Sequence, residues 1–183
     1  MIVEALGQGA QILIFRKGGI REDGGPFKPE HNRFLLFPTR FHQQRESVIE
    51  AAQIKFEQLE HTAVSPEKVR LEYYAEVAAS HQLDSFSQAE ALREQHIWRD
   101  EVIARRFDWG NEKAIYVLAL RVYRLALPVE LTRTSAYLGC KSWVELDMDV
   151  SIDGAEPVLS ENEFQTKLGQ FQAALQPTLT SAT

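Results

Sequence analysis

Arg16 and Lys17 precede Gly18 and Gly19 at the end of the apolar stretch Ile12-Leu13-Ile14-Phe15. A strand that stops in two cations and two glycines brings bare backbone N–H groups and positive charge to one point. That chemistry suits an anion, phosphate above all. Arg16 supplies a bidentate fork for it. The run is not a Walker A loop, because the lysine comes before the glycines and no Gly-Lys-Ser/Thr follows; it is not a dinucleotide fingerprint either. The competing account is a plain turn with two solvated cations.

Two further groups share this character. Arg40, His42 and Gln43 lie in a donor-rich stretch just before a predicted helix, a second anion-friendly position. Lys141-Ser142-Trp143 puts a cation beside an aromatic ring, which suits a stacked base, although Trp143 serves equally well as core. Arg121 and Arg124 mark where a long apolar strand emerges toward solvent. The expected ligand-binding set is therefore Arg16, Lys17, Gly18, Gly19, Arg40, His42, Gln43, Arg121, Lys141 and Trp143. His31 and His42 flank the stretch Phe34 to Pro38, which spans roughly 17 Å when extended, so joint metal ligation is not expected. Trp98 and Trp109 read as core.

Catalytic signals are weaker. Glu72 and Glu76 are evenly spaced on one predicted strand, but a metal-dependent nuclease wants a Glu-x-Lys on a neighbouring strand, and no predicted strand carries one. Glu112 and Lys113 are adjacent, so they point to opposite faces. Cys140 sits beside Lys141, and a cation lowers a thiol pKa; without a histidine partner in sequence it reads as an inert buried cysteine. No catalytic residue, metal site or cofactor is assigned.

The elements that must hold these residues follow from periodicity. Residues 10–16 and Arg33 to Phe37 read as strands joined by a glycine- and proline-rich loop. A long-looped hairpin is the simplest link, and it would put Arg16–Gly19 beside His31–Arg33. Ser47 to Glu60 reads as a helix with Val48, Ala52, Phe56 and Leu59 on one face. Val69 to Ala78 alternates as a half-buried strand. Residues 84–107 read as helical, in two pieces meeting near His96, with Asp84 as N-cap. Lys113 to Leu127, apolar on both faces, should lie in the middle of a sheet, with Pro128 ending it. Residues 140–146 are undecided between helix and strand. Ser160 with Glu163 forms a capping box ahead of a final helix carrying Phe164, Leu168, Phe171 and Leu175. The expected architecture is one compact α+β domain over residues 1–176, with a small mixed, barrel-like sheet packed by helices, and a loose tail over 177–183.

Composition bounds the remainder. At 183 residues, 44% hydrophobic and 25% charged, the chain is long enough to bury a real core. One cysteine excludes an internal disulfide and a multi-cysteine zinc site. The start Met1-Ile2-Val3-Glu4-Ala5-Leu6 lacks a basic leader pattern and no apolar run reaches membrane-spanning length, so a cytoplasmic, non-membrane protein is expected. The net charge is −6, which argues against wholesale coating of nucleic acid. Residues 16–45 hold seven Lys/Arg against three acids, an excess of four that leaves ten negative charges on the rest. Glu145 to Glu163 is purely acidic. A local positive patch on an acidic body is the implication.

Several words in this chain occur together in one order: Glu4-Ala5-Leu6-Gly7-Gln8-Gly9, Arg16-Lys17-Gly18-Gly19-Ile20, and Phe34-Leu35-Leu36-Phe37-Pro38-Thr39 with His42-Gln43. Arg106-Phe107, Trp109, Leu120-Arg121-Val122-Tyr123-Arg124-Leu125 and Gly139-Cys140-Lys141-Ser142-Trp143-Val144-Glu145-Leu146 follow. Over residues 4 to 146 the chain resembles the bacterial "domain of unknown function 1802" family. The resemblance implies a fold neighbourhood and no mechanism. Relatives often carry a helical lead-in with a tryptophan, so it also implies that part of the first element is missing here. More loosely, a strand ending in Arg-Lys-Gly-Gly, a long central strand and Pro128-Val129-Glu130-Leu131 resemble small barrels of the pseudouridine-synthase/archaeosine-transglycosylase type, which bind modified bases or RNA.

Three functions follow. The preferred one is a non-enzymatic module for an anionic ligand: nucleic acid, a modified base or a nucleotide. The second is a divalent-metal nuclease or phosphodiesterase using Glu72, Glu76 or Glu145. The third is a protein-interaction domain working through the helix at 160–175. Oligomeric state is not legible.

Overall fold

The structure is a computed structural model that describes residues 1–17, 31–38, 44–60, 67–108, 114–132, 134 and 143–176. Its frame is a ribbon of two long antiparallel strands, β3 (Lys68–Leu83) and β4 (Ile115–Thr132). The short β1 (Leu13–Arg16) pairs with β4 and the shorter β2 (Arg33–Leu35) with β3, giving the order β1-β4-β3-β2; β5 (Glu156–Pro157) pairs with β4 at Tyr123 and Arg124. The α+β class is as the sequence predicts. The sheet itself is antiparallel in every described pairing, not mixed, and it does not close into a barrel.

β4 is apolar on both faces because both are covered. On one, Ile115, Val117 and Ala119 pack with Leu13 and Phe15 of β1 and Leu83 of β3. Ile103 and Phe107 of α5 (Asp100–Asp108), with Phe164 and Phe171 of α6 (Glu161–Ala174), close that side. On the other, Leu118, Leu120 and Val122 meet Tyr73 and Ala75 of β3, Leu36, and Leu6 of α1 (Ile2–Gly7). Each fully buried leucine here contributes on the order of 2 kcal/mol.

Several elements depart from expectation for physical reasons. β1 and β2 do not form a hairpin with each other; they are the two opposite edges of the sheet, because the β3–β4 ribbon takes the centre. Pro128 does not end β4. It falls where four residues of β4, between Arg124 and Val129, face one residue of β3, between Leu71 and Tyr73, and at such an irregularity no ladder donor is required. The helix expected from Ser47 is split into α2 (Gln44–Ser47) and α3 (Glu50–Glu60). Between them Val48 bridges Trp98, the Ile49 N–H donates to Ile97 O at 2.9 Å, and Ser47 O accepts from Arg99 N–H at 3.0 Å. Residues 84–107 break near His96 as predicted, into α4 (Phe86–Glu90), a 3-10 turn at Arg93–Gln95, and α5. Ser85, not Asp84, caps α4, with Gln88 completing the box. The Ser160–Glu163 box at α6 is present as predicted. Residues 143–146 form neither helix nor strand, and 177–183 lie outside the described residues. Among the described residues no helix is long and apolar enough to cross a membrane.

Two glycines fix how α1 meets the sheet. A methyl group at Gly7 would overlap the Tyr73 ring, and one at Gly9 would overlap Leu159; Gly9 also has φ +66°, where side chains are strained. Gly169, inside α6, has open space around it. Gly7→Ala and Gly9→Ala should each lower stability by about 1–3 kcal/mol. Gly169→Ala should raise it by up to about 1 kcal/mol. Urea unfolding followed by circular dichroism measures all three.

Candidate anion-binding corner

β1 is an edge strand, and an edge strand presents unpaired carbonyls. Two of them are answered by side chains. The amide of Gln11 donates to Leu13 O at 2.7 Å, and Arg106 Nη1 donates to Phe15 O at 2.8 Å. The second bond brings the guanidinium of α5 to the peptide that joins Phe15 to Arg16. Arg106 lies over the Trp98 ring at 4.5 Å, and Arg16 lies over the Trp143 ring at 4.7 Å. Lys17 Nζ donates to Phe107 O at 3.2 Å, in the last turn of the same helix, where carbonyls point outward and cations are favoured.

Both guanidiniums are partly buried, and their charged forms are disfavoured. Burial lowers the Arg16 pKa. Burial lowers that of Arg106 as well, and the neighbouring positive charge of Arg16 lowers it further. Arg106 has no carboxylate partner among the described residues. The indole faces offset part of the cost, about 0.5–2 kcal/mol for each stacked cation.

Beneath the corner lies His96, 5% exposed, its ring edge-on to Phe15 with centroids 4.8 Å apart. Its Nδ1 accepts from the Trp98 backbone N–H at 3.2 Å. His96 Nε2 and Trp98 Nε1 are buried without a partner among the described residues. Burial drives the His96 pKa from 6.5 down to about 4, with the Asp100 carboxylate pushing weakly the other way.

Of the residues singled out by sequence, Arg16, Lys17 and Trp143 come together here. Trp143 also meets His31 edge-on at 5.4 Å and Phe34 at 5.0 Å. Arg121 is elsewhere: it stacks on Phe164 at 4.6 Å, donates to Ser160 O at 3.3 Å, and pairs with Glu161 at 3.3 Å. Gly18, Gly19, Arg40, His42, Gln43, Lys141 and Cys140 lie outside the described residues. Glu72 is held by Arg70 at 2.7 Å and Glu76 by Arg33 at 2.8 Å, and Glu145 is exposed. Among the described residues no three potential ligands are grouped for a metal. Sequence reasoning passed over Arg106, His96 and Trp98 as site residues. The signals for Arg106 were its place at the basic end of a helix, which reads as a complement to the helix dipole, and the word Arg106-Phe107 in the family resemblance.

The fold and this corner define an α+β protein with an open antiparallel sheet and partly buried arginines against one sheet edge. Over residues 1–170 the chain matches the family described as Domain of unknown function (DUF1802), and it belongs to that family. No curated protein and no solved structure matches it.

The neutral state of His96 should appear in the pH dependence of stability. In the unfolded chain the group titrates near 6.5 and in the folded one near 4. The unfolded state therefore binds more protons between those values, so stability is full above pH 6.5 and falls as pH drops toward 4. At pH 4.5 the loss assigned to this group is about 2–3 kcal/mol. Denaturant unfolding of the wild type and of His96→Phe at pH 7.5 and 4.5 isolates it: the variant should lose that much less. Equal losses would show that His96 is not the group responsible.

Proposed function

We propose that the chain is a non-enzymatic binding module for an anionic ligand of the nucleic-acid, nucleotide or modified-base class. Its contact surface is the corner of Arg16, Lys17, Arg106 and Trp143. What carries this reading is two partly buried arginines that meet at one peptide of the sheet edge, Arg16 through its backbone and Arg106 through its guanidinium, each stacked on an indole. Burial disfavours a charged guanidinium, and an anion placed against it favours the charged form again. The two arginines are oriented in advance by their rings and by the Phe15 carbonyl, so little side-chain entropy is lost when a ligand arrives. Gly18, Gly19, Arg40, His42, Gln43 and Lys141, which lie outside the described residues, are further proposed contacts on their sequence character alone. Arg121, committed to Ser160 and Glu161, is not among the contacts.

Gel retardation of single-stranded RNA and DNA over a potassium chloride series tests the proposal. The wild type should retard at least one of them, with affinity falling as salt rises. The double variant Arg16→Ala/Lys17→Ala, checked by its circular dichroism for folding, should bind about tenfold or more weakly, and its log–log salt slope should be shallower by about 1.4 for two lost phosphate contacts on a single strand. Failure of the wild type to retard any RNA or DNA at low salt defeats the proposal.

A further inference from the structure

Residues 47–49 and 97–99 meet in a short antiparallel bridge. Val48 lies opposite Trp98, and the flanking bonds run from Ile49 N–H to Ile97 O and from Arg99 N–H to Ser47 O. In that pattern the backbone groups of Val48 and Trp98 themselves point away from the bridge, and side chains answer two of them. Val48 O accepts from Arg99 Nε at 3.0 Å and from Gln53 Nε2 at 3.2 Å. The Trp98 N–H donates to His96 Nδ1 at 3.2 Å. Of these answering side chains, only the imidazole changes its bonding capacity with pH.

A neutral ring that accepts at Nδ1 carries its proton on Nε2, which is buried without a partner among the described residues. A proton arriving from solvent must therefore take the Nδ1 lone pair. The imidazolium then has no acceptor, the Trp98 N–H loses its partner, and the ring holds two buried donors. Water reaching the ring satisfies all of these groups, and opening of the bridge admits it. The surrounding charges do little to hold an imidazolium in place. Asp100, in the first turn of α5, favours it and Arg93 of the 3-10 turn opposes it. Arg93 also pairs with Asp100, which weakens the help that carboxylate gives. Arg99 and Arg106, the latter over the Trp98 ring, are further cations on this side. β1 meets the ring through uncharged Phe15, and the 3-10 turn touches α6 through Gln95 and the Gln170 carbonyl, again without charge.

We propose that His96 is an acid-sensitive latch: a proton taken up at its Nδ1 opens the bridge between residues 47–49 and 97–99 while the central sheet stays folded. The inference is independent of the anion-binding reading. It also differs from a loss of global stability in acid, because the part that gives way first is the short junction that sets α5 against β1.

Amide hydrogen exchange of the full chain, followed by NMR at pH 7.5 and 4.5 and corrected for the intrinsic rate at each pH, tests the latch. The N–H groups of Ile49 and Arg99, whose bonds close the bridge, should lose about tenfold or more of their protection between the two pH values. Their exchange should not respond to low urea, the mark of an opening that exposes little surface. The Leu120 N–H, bonded to Ile12 O in the sheet, should exchange more slowly and should respond to urea. His96→Asn keeps a side-chain acceptor and does not titrate, so its Ile49 and Arg99 protection should be the same at both pH values. Unchanged protection of Ile49 and Arg99 in the wild type overturns the latch. So does a loss as urea-sensitive as that of Leu120, which is global unfolding, and so does a loss that persists in His96→Asn. Where that variant fails to fold, the two wild-type comparisons decide.

Discussion

The hydrogen bond from Arg106 to the Phe15 carbonyl is the constraint from which the candidate site follows. β1 is four residues long and lies at a sheet edge. Its outward carbonyls need donors, and a neutral amide from Gln11 serves for one of them. At the other, the donor is a guanidinium carried by α5. This choice blocks further pairing along the edge, and it also sets a second positive charge beside Arg16. The group that protects the sheet edge is thus also part of the proposed site.

The rest of the core is arranged to make that placement possible. α5 reaches β1 because Ile103 and Phe107 are buried with Leu13 and Phe15. Its approach is set by the 47–49 and 97–99 segments, which pair and so interrupt the helix that residue periodicity predicts there. His96 lies at the base of this junction. Its burial is tolerated because the imidazole stays neutral and one nitrogen is bonded; a charged histidine in the same position would add a third cation beneath two arginines.

What sequence made legible was local. The central strand shows in the apolar character of both its faces, and the final helix in Ser160 and Glu163. Each depends on residues within a few positions of one another. The pairing of β1 with β4 depends on residues about a hundred positions apart, and chain proximity favoured a β1–β2 hairpin instead. Pro128 misled because its usual effect is to end a strand, whereas an irregular register removes the requirement it would violate. The candidate site divides in the same way. Arg16 and Lys17 stand out by composition alone. Arg106 does not, because its partner is 91 residues away and its helix-end position already accounts for its charge.

Trp143 shows how such a site can be tied to the whole sheet. One edge strand reaches the indole through Arg16 and the other through Phe34, with His31 beside it. β1 and β2 share no hydrogen bond, being separated by β4 and β3, yet they meet on this one ring. The ring face taken by a guanidinium is not open to a stacked base. Trp143 therefore orients the cation through that face. Arg16 and Phe34 thus tie the two edge strands to a single side chain.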